Sequence, residues 1–262
     1  MELIGEPRAV LEELERVKRA SRDWVTNYYP NPEALGRWIE TGALSMDRIA
    51  GNAFLFLREE DFLRLFYISP SRQALGQGLE AVSSSGGILV TEVIARADEI
   101  PGLAGSMPAR GFHPYATLVR LSMGRRPESG GEGLEEGVRF ASEADAPEIR
   151  ALLTGFFDRF AERLQSPDEI GREVAGRRML VCESGGRVAG FLHFEISGFT
   201  SHLRRWFVHP DYRELRVGSR LLQSYFSLSG RASRFILWVL RSNENAIKRY
   251  VHFGYREDGL TD

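Results

Sequence analysis

Arg213, Arg216, Gly218, Ser219 and Arg220 belong to a stretch whose residue types could hold an anion: Trp206-Phe-Val-His-Pro-Asp-Tyr-Arg-Glu-Leu-Arg-Val-Gly218, followed by Ser219 to Phe226. The apolar strand signal of Trp206, Phe207 and Val208 stops at Pro210, and after an Arg/Gly turn the apolar spacing becomes helical. First-turn N–H groups of a helix have no acceptor inside it and carry its positive dipole, so a pyrophosphate is favoured there. Successive turn amides form an anion nest, and Gly218 lets the backbone come close. Further on, Asn243 stands at a helix start, with Tyr250 one turn before the Gly254-Tyr255 exit. A phenol with a pKa near ~10 keeps its proton at neutral pH and can donate it. Packing the helix onto a sheet is the other role open to Tyr250. His193, Glu195 and His202 on the preceding strands are candidate bases, and by strand alternation His202 is expected on the face of Trp206 and Val208.

The elements that must position these groups can be read in order. Val138 to Ala141 is a strand, and Asp145 and Pro147 open a helix that carries Ile149, Leu152, Leu153 and Phe156 at helical spacing. A second helix is expected from Ser166 to Ala175. Met179 to Cys182 and Val188 to Ile196 form a hairpin about Gly185-Gly186, followed by a strand from Leu203 to Val208. After the helix at Gly218 come a buried strand, Phe235 to Leu240, and the helix of Asn243 to Tyr255.

In this order and in both motifs, residues 138 to 258 resemble the GNAT superfamily of N-acyltransferases. The acyl-CoA signature R/Q-x-x-G-x-G/A has Arg213 and Gly218 at its outer positions, with Arg216 where the first Gly belongs. A side chain there either obstructs pyrophosphate or adds a charge-assisted contact to it. The resemblance implies an α+β fold and acetyl-CoA as co-substrate, with no metal. It places amides of Trp206, Phe207 and Val208 along pantetheine, on a strand that diverges from the next, where they also stabilise the oxyanion. Residues from Arg213 through Arg216, Val217, Gly218, Ser219 and Arg220 would hold pyrophosphate, with Asn243 also at the cofactor. Tyr250 would protonate the departing thiolate, whose pKa is near ~8.5. The base would be His202, Glu195, His193 or a water chain.

The first half carries an internal echo. Leu63 to Ser69, Pro70 and Gln73-Ala-Leu-Gly76-Gln-Gly78 repeat strand, proline and signature, and Met107 to Phe112 mirrors Arg249 to Tyr255. Met107 takes the place of Tyr250, and a thioether donates no proton. Gly87 to Ile94 reads as a buried strand, but Gly78 to Gly87 is short for a crossover helix, and one hairpin strand is missing, since only Phe54 to Leu57 and Leu63 to Ile68 read as strands ahead of the turn. Two opening helices, one marked by Val10, Leu11, Leu14 and Val17 and one spanning Pro32 to Thr41, and a closing strand, Tyr115 to Met123, complete this half. The expected organisation is thus two tandem GNAT-like domains, each a mixed, mostly antiparallel sheet flanked by helices: 1–123 degenerate, 124–137 a Gly-rich linker, 138–262 catalytic. The chain stops where the family adds one more strand, so that edge is short or another segment fills it.

Composition sets limits on the function. A net charge of -2 counts against obligatory nucleic-acid binding, and the lack of a signal peptide or an 18-residue apolar run predicts a cytoplasmic protein without a membrane span. One cysteine excludes an intramolecular disulfide framework, and the five histidines have no zinc spacing. The resemblance then implies N-acetylation of a small-molecule or peptide amine. The alternatives are a silent acyl-CoA sensor and an aminoacyl-tRNA-dependent transferase, the latter opposed by the acidic balance.

Overall fold

The computed structural model describes residues 1–29, 31–83, 87–105, 107–124 and 133–262. It divides into two compact units, Met1–Tyr115 with Leu260–Asp262, and Ala116–Gly259.

The first unit contains β1 (Glu2–Leu3), α1 (Pro7–Ala20), β2 (Val25–Thr26), α2 (Pro32–Glu40), β3 (Leu44–Ile49), β4 (Asn52–Arg58), β5 (Leu63–Ser69), α3 (Arg72–Ser83), β6 (Leu89–Thr91), β7 (Ala95–Arg96) and α4 (Ile100–Ala104). The sheet runs β1–β3–β4–β5–β2, and β6 lies parallel to β5. Both opening helices form, although Leu11 of the first is exposed rather than on its buried stripe. Val10, Leu14 and Val17 bury one stripe of α1, while Asn31 caps α2 by accepting from the Ala34 N–H, with Pro32 in the first turn.

Three readings of this half are corrected. The missing hairpin strand is β3, turned into β4 by left-handed Ala50 and Gly51; the charged pair Asp47-Arg48 interrupts its alternation. The crossover helix has full length, because α3 begins at Arg72 and includes Gln73, Gly76 and Gly78. The closing strand belongs to the other unit's sheet: its alternation guarantees one buried face without naming the partner, and Leu121 lies opposite Leu237.

The second unit contains β8 (Leu118–Gly124), β9 (Val138–Phe140), α5 (Ala146–Phe156), α6 (Pro167–Ala175), β10 (Met179–Ser184), β11 (Arg187–Ser197), β12 (Thr200–Val208), α7 (Val217–Leu228), β13 (Arg234–Leu240), α8 (Glu244–His252) and β14 (Arg256–Thr261), whose last residues return to the first unit. Its strands are ordered β14–β8–β13–β12–β11–β10–β9. Of the alternatives for the last edge, another segment fills it: β8 is inserted between β13 and β14. Leu121, Leu192, Phe194, Leu203, Leu221 and Tyr225 make the core on the α7 face, and Ile149, Leu153, Ile170, Val181 and Phe191 the core under α5 and α6. Asp145, expected to cap α5, makes no side-chain cap bond to it and instead closes a capping box over the 3-10 turn before it: its carboxylate accepts from the Ser142 N–H and O–H and from Arg139, whose guanidinium is the main reason its pKa falls to about 2.

Residues 125–132 of the expected linker lie outside the described residues. Those that follow are held to α7, the Glu135 N–H donating to Ser224 Oγ and the Glu136 carbonyl accepting from Arg220. Among the described residues no helix is long and apolar enough to cross a membrane.

Candidate active site

The site begins with a strand that leaves its neighbour. β12 pairs with β13 only from Thr200/Arg234 to Leu203/Leu237. At that point its register with β11 slips, leaving Arg204 as an extra residue on β12, and such a bulge bends a strand. One edge of β12 from Arg205 to Val208 is therefore unpaired. The His209 N–H donates to the Ala189 carbonyl, so Phe207 also faces β11 and, by alternation, Trp206 and Val208 turn their N–H and C=O groups to the open edge.

The bulge also shifts side-chain parity and corrects the placement of His202. Ser201, which bonds the Tyr225 hydroxyl, and Leu203 share the α7 face with Trp206 and Val208. His202 falls on the opposite face, across from Glu195, as does Phe207, which packs against Phe191 and Phe157.

Beyond β12 a 3-10 turn, Pro210–Leu215, ends at Arg216, which takes the left-handed conformation at φ 57°. α7 then starts without a side-chain cap, so the N–H groups of Val217, Gly218 and Ser219 point out of its end. The Arg220 amide is already satisfied by the Arg216 carbonyl. Its guanidinium bonds the carbonyls of Leu215 and Glu136, clamping the turn, and Arg220 is not among the residues that line the cleft in front of α7. The Val217 side chain is fully buried and contributes only its amide. Gly218 has a packing reason: a Cβ there would lie 2.9 Å from the Trp206 ring and 3.2 Å from Val208.

In front of this helix end opens a cleft of about 330 Å³, lined by Trp206, Val208, Arg213, Arg216, Gly218 and Ser219 and, from α8, by Lys248, Arg249, His252 and Phe253. The side chains of Arg213 and Arg216 make no hydrogen bond or ion pair with another described residue. Four cationic side chains, three outward amides and the buried, unpaired indole N–H of Trp206 converge here. That set fits a long polyphosphate ligand with an amide-bearing arm along β12. Lys248, Arg249 and His252 were missed from the sequence. Their signal was available as the exposed side of the helix whose other side carries Tyr250.

Tyr250 is 7% exposed, with its ring 5.3 Å from Trp206 and 5.9 Å from Tyr255. Burial first, and the charge of Glu162 next, raise its pKa, so the phenol is protonated at neutral pH. Glu162 lies in the loop between α5 and α6, where its carboxylate is 2.9 Å from Arg205 of β12. Arg205 also donates to the Arg163 carbonyl and so ties this loop to the diverging strand. Burial raises the Glu162 pKa against the opposing pull of Arg205. No motif pointed to Glu162.

The candidate bases sit in different settings. Burial, then Arg204 and Arg205, pushes His202 well below the usual histidine value, so it is neutral at pH 7. Glu195 is ion-paired with Arg204 at 2.7 Å. His193 is 1% exposed and fixed between Gln165 and Glu173, with its pKa lowered by burial. Glu173, His193 and Glu195 form a cluster of metal-ligand type within 4.8 Å that the histidine spacing did not reveal, but both carboxylates are held by arginines, Arg178 and Arg204. Asn243 caps α8 by accepting from the Ala246 N–H and is not among the residues lining the cleft.

Residues 146–255 match the Acetyltransferase (GNAT) family, from the first helix of the second unit to the exit of α8. The second unit is a GNAT domain. A GCN5-related N-acetyltransferase from Sphaerobacter thermophilus superposes with a TM-score of 0.58 at 16% identity over 80% of this chain and 74% of its own. One from Kribbella flavida gives 0.56 at 15% identity over 87% and 91%. A tandem GNAT protein from the clavulanic acid biosynthesis pathway gives 0.54 at 15% identity over 84% and 83%. These likenesses extend across both units and show a tandem GNAT fold. No curated protein matches the sequence.

Proposed function

We propose that the second unit transfers an acetyl group from acetyl-CoA to a primary amine. The observation that carries this reading is the joining of two features at one place: the unpaired edge of β12 and the uncapped end of α7, ringed by Arg213, Arg216, Lys248 and Arg249. Pyrophosphate binds the amides of Val217, Gly218 and Ser219. Pantetheine continues as an extended strand along Trp206 and Val208, whose N–H groups face the thioester and stabilise its oxyanion. Tyr250, protonated and packed on Trp206, supplies the proton to the thiolate. Arg220, Asn243 and the Val217 side chain hold the turn and helices in place.

Gly218 is a poor position for a test, because any side chain there strikes Trp206. Ser219 is better, since it lines the cleft as the third residue of α7, where a carboxylate stabilises the helix end while repelling phosphate. Ser219→Glu should weaken acetyl-CoA binding on the order of 100-fold by calorimetry without lowering the melting temperature. Unchanged affinity would remove pyrophosphate from this helix end.

A further inference from the structure

We infer that Glu162, held by Arg205 at the mouth of the strand gap, is the base that receives the proton of the acceptor amine. This rests on the acetyltransferase reading above. Its geometry is independent of the sequence candidates His202, Glu195 and His193.

Glu195 is ion-paired with Arg204, and His193 is bonded to both Gln165 and Glu173. His202 is neutral, but burial and two arginines make it a weak base. Glu162 differs from all three in its place. Its carboxylate is bound on one side, by Arg205 at 2.9 Å, and is 18% exposed. Arg205 immediately precedes Trp206, whose ring contacts Tyr250. The strands part here, so the phenol of α8 on one face and the α5–α6 loop on the other come close enough for the Glu162 charge to act on Tyr250, and for Tyr250 to act on Arg205. The groups facing the Glu162 carboxylate are Arg205 of β12, Asp158 of its own loop and Tyr250 of α8.

The protons balance between these residues. The neutral amine nitrogen forms the C–N bond to the acetyl carbonyl carbon, and its proton passes to a Glu162 Oε. The C–S bond breaks with its electron pair on sulfur, which takes the Tyr250 proton. The proton on Glu162 then moves to the Tyr250 phenolate, restoring both groups for the next turnover. Burial favours the protonated form of each, so each holds a proton well.

The test is turnover against a panel of primary alkyl- and arylamines by full-length wild type, Glu162→Gln and Glu162→Asp, with acetyl-CoA affinity measured by calorimetry on each. Glu162→Gln should lower kcat/KM at least ~100-fold at neutral pH and abolish the acid limb of the pH profile, with CoA affinity within about twofold. Glu162→Asp should recover part of the rate and restore the limb. A Glu162→Gln enzyme that binds acetyl-CoA and keeps its rate and acid limb overturns the assignment alone. So does one whose loss Glu162→Asp does not relieve, which marks a structural role. Wild type that binds acetyl-CoA but acetylates no amine overturns the acetyltransferase reading, and this assignment with it.

Discussion

Each unit has a strand that parts from its parallel neighbour, and the two partings are finished in opposite ways. In the second unit β12 leaves β13 after Leu203, and its edge stays open. In the first, β5 pairs with β6 only from Leu63 to Leu65, but β2 takes the freed edge, with Val25 opposite Ser69 and Thr26 opposite Ile68. Asn27 completes the plug. Its amide donates to the Leu65 and Glu92 carbonyls and to Thr91, and its carbonyl accepts from the Tyr67 N–H. Unpaired backbone at a strand edge needs a partner, and the comparison shows two: the chain's own residues, or space for an extended ligand.

The helix that follows differs in the same sense. α3 begins two residues after Pro70 with Ser71 capping the Ala74 N–H, whereas α7 begins uncapped after a six-residue turn. The echoed glycines lie inside α3. Gly78 lets the helix press on Asn52 and Phe54, which a Cβ would meet within 2.7 Å, and the Gly76 carbonyl accepts from Arg110. Where Tyr250 reaches the gap, Met107 is buried in the core with Phe54, Tyr67 and Leu75. Among the described residues, the first unit has a frame like that of the second with the strand edge plugged and the following helix capped.

If catalysis belongs to the open gap alone, Tyr250→Phe should reduce turnover on the order of 100-fold or more while leaving acetyl-CoA affinity within twofold, since the ring still packs on Trp206. Steady-state rates with calorimetry on the same samples read both. A rate within a few-fold of wild type would take Tyr250 out of the chemistry and leave it as a packing residue.

Local signals carried most of the second unit. Ser166 and Pro167 start α6 where the capping pattern places it, the Gly185-Gly186 turn joins β10 to β11, and Ile149, Leu152 and Leu153 are buried at their helical spacing. What stayed hidden depended on partners distant in sequence. β8 has an unambiguous inward face, but which sheet it joins is set by pairing with β13 more than a hundred residues away. The bulge at Arg204 leaves no mark in residue type, yet it reverses the face of His202. Glu162 sits in a loop without periodicity, and its role follows only from where Arg205 holds it. The glycine pattern of the first half misled because glycine serves a helix-to-sheet contact as well as a phosphate turn.

The plug makes a second, smaller prediction. Asn27 is 3% exposed with its amide and carbonyl both bonded, so Asn27→Ala strands the Tyr67 N–H in a buried place and removes the amide bonds to the Glu92 carbonyl and to the Leu65 carbonyl, which keeps Thr91 Oγ1, and should cost about 2 kcal/mol. Urea unfolding followed by Trp fluorescence should show an earlier first transition, with one acetyl-CoA still bound per chain. No loss of stability would mean that β2 alone closes the edge. A second equivalent of acetyl-CoA would mean that Asn27 was all that separated the two gaps.

The smallest effect is expected at Arg216, and it distinguishes obstruction from contact at the turn that only the second unit has. Its φ of 57° is strained for a side chain and free for glycine, so Arg216→Gly should stabilise the protein by about 1 kcal/mol. The substitution also brings the turn to the family pattern and removes one of four cations from the cleft. A guanidinium that contacts pyrophosphate contributes a charge-assisted bond, so affinity for acetyl-CoA should fall by a few-fold and the fall should shrink at high salt. A guanidinium that closes the turn would do the reverse, and glycine would then tighten binding. The unpaired state of Arg216 favours the first outcome, because an arginine placed to block the site would be held in position by a carboxylate, as Arg204 is by Glu195.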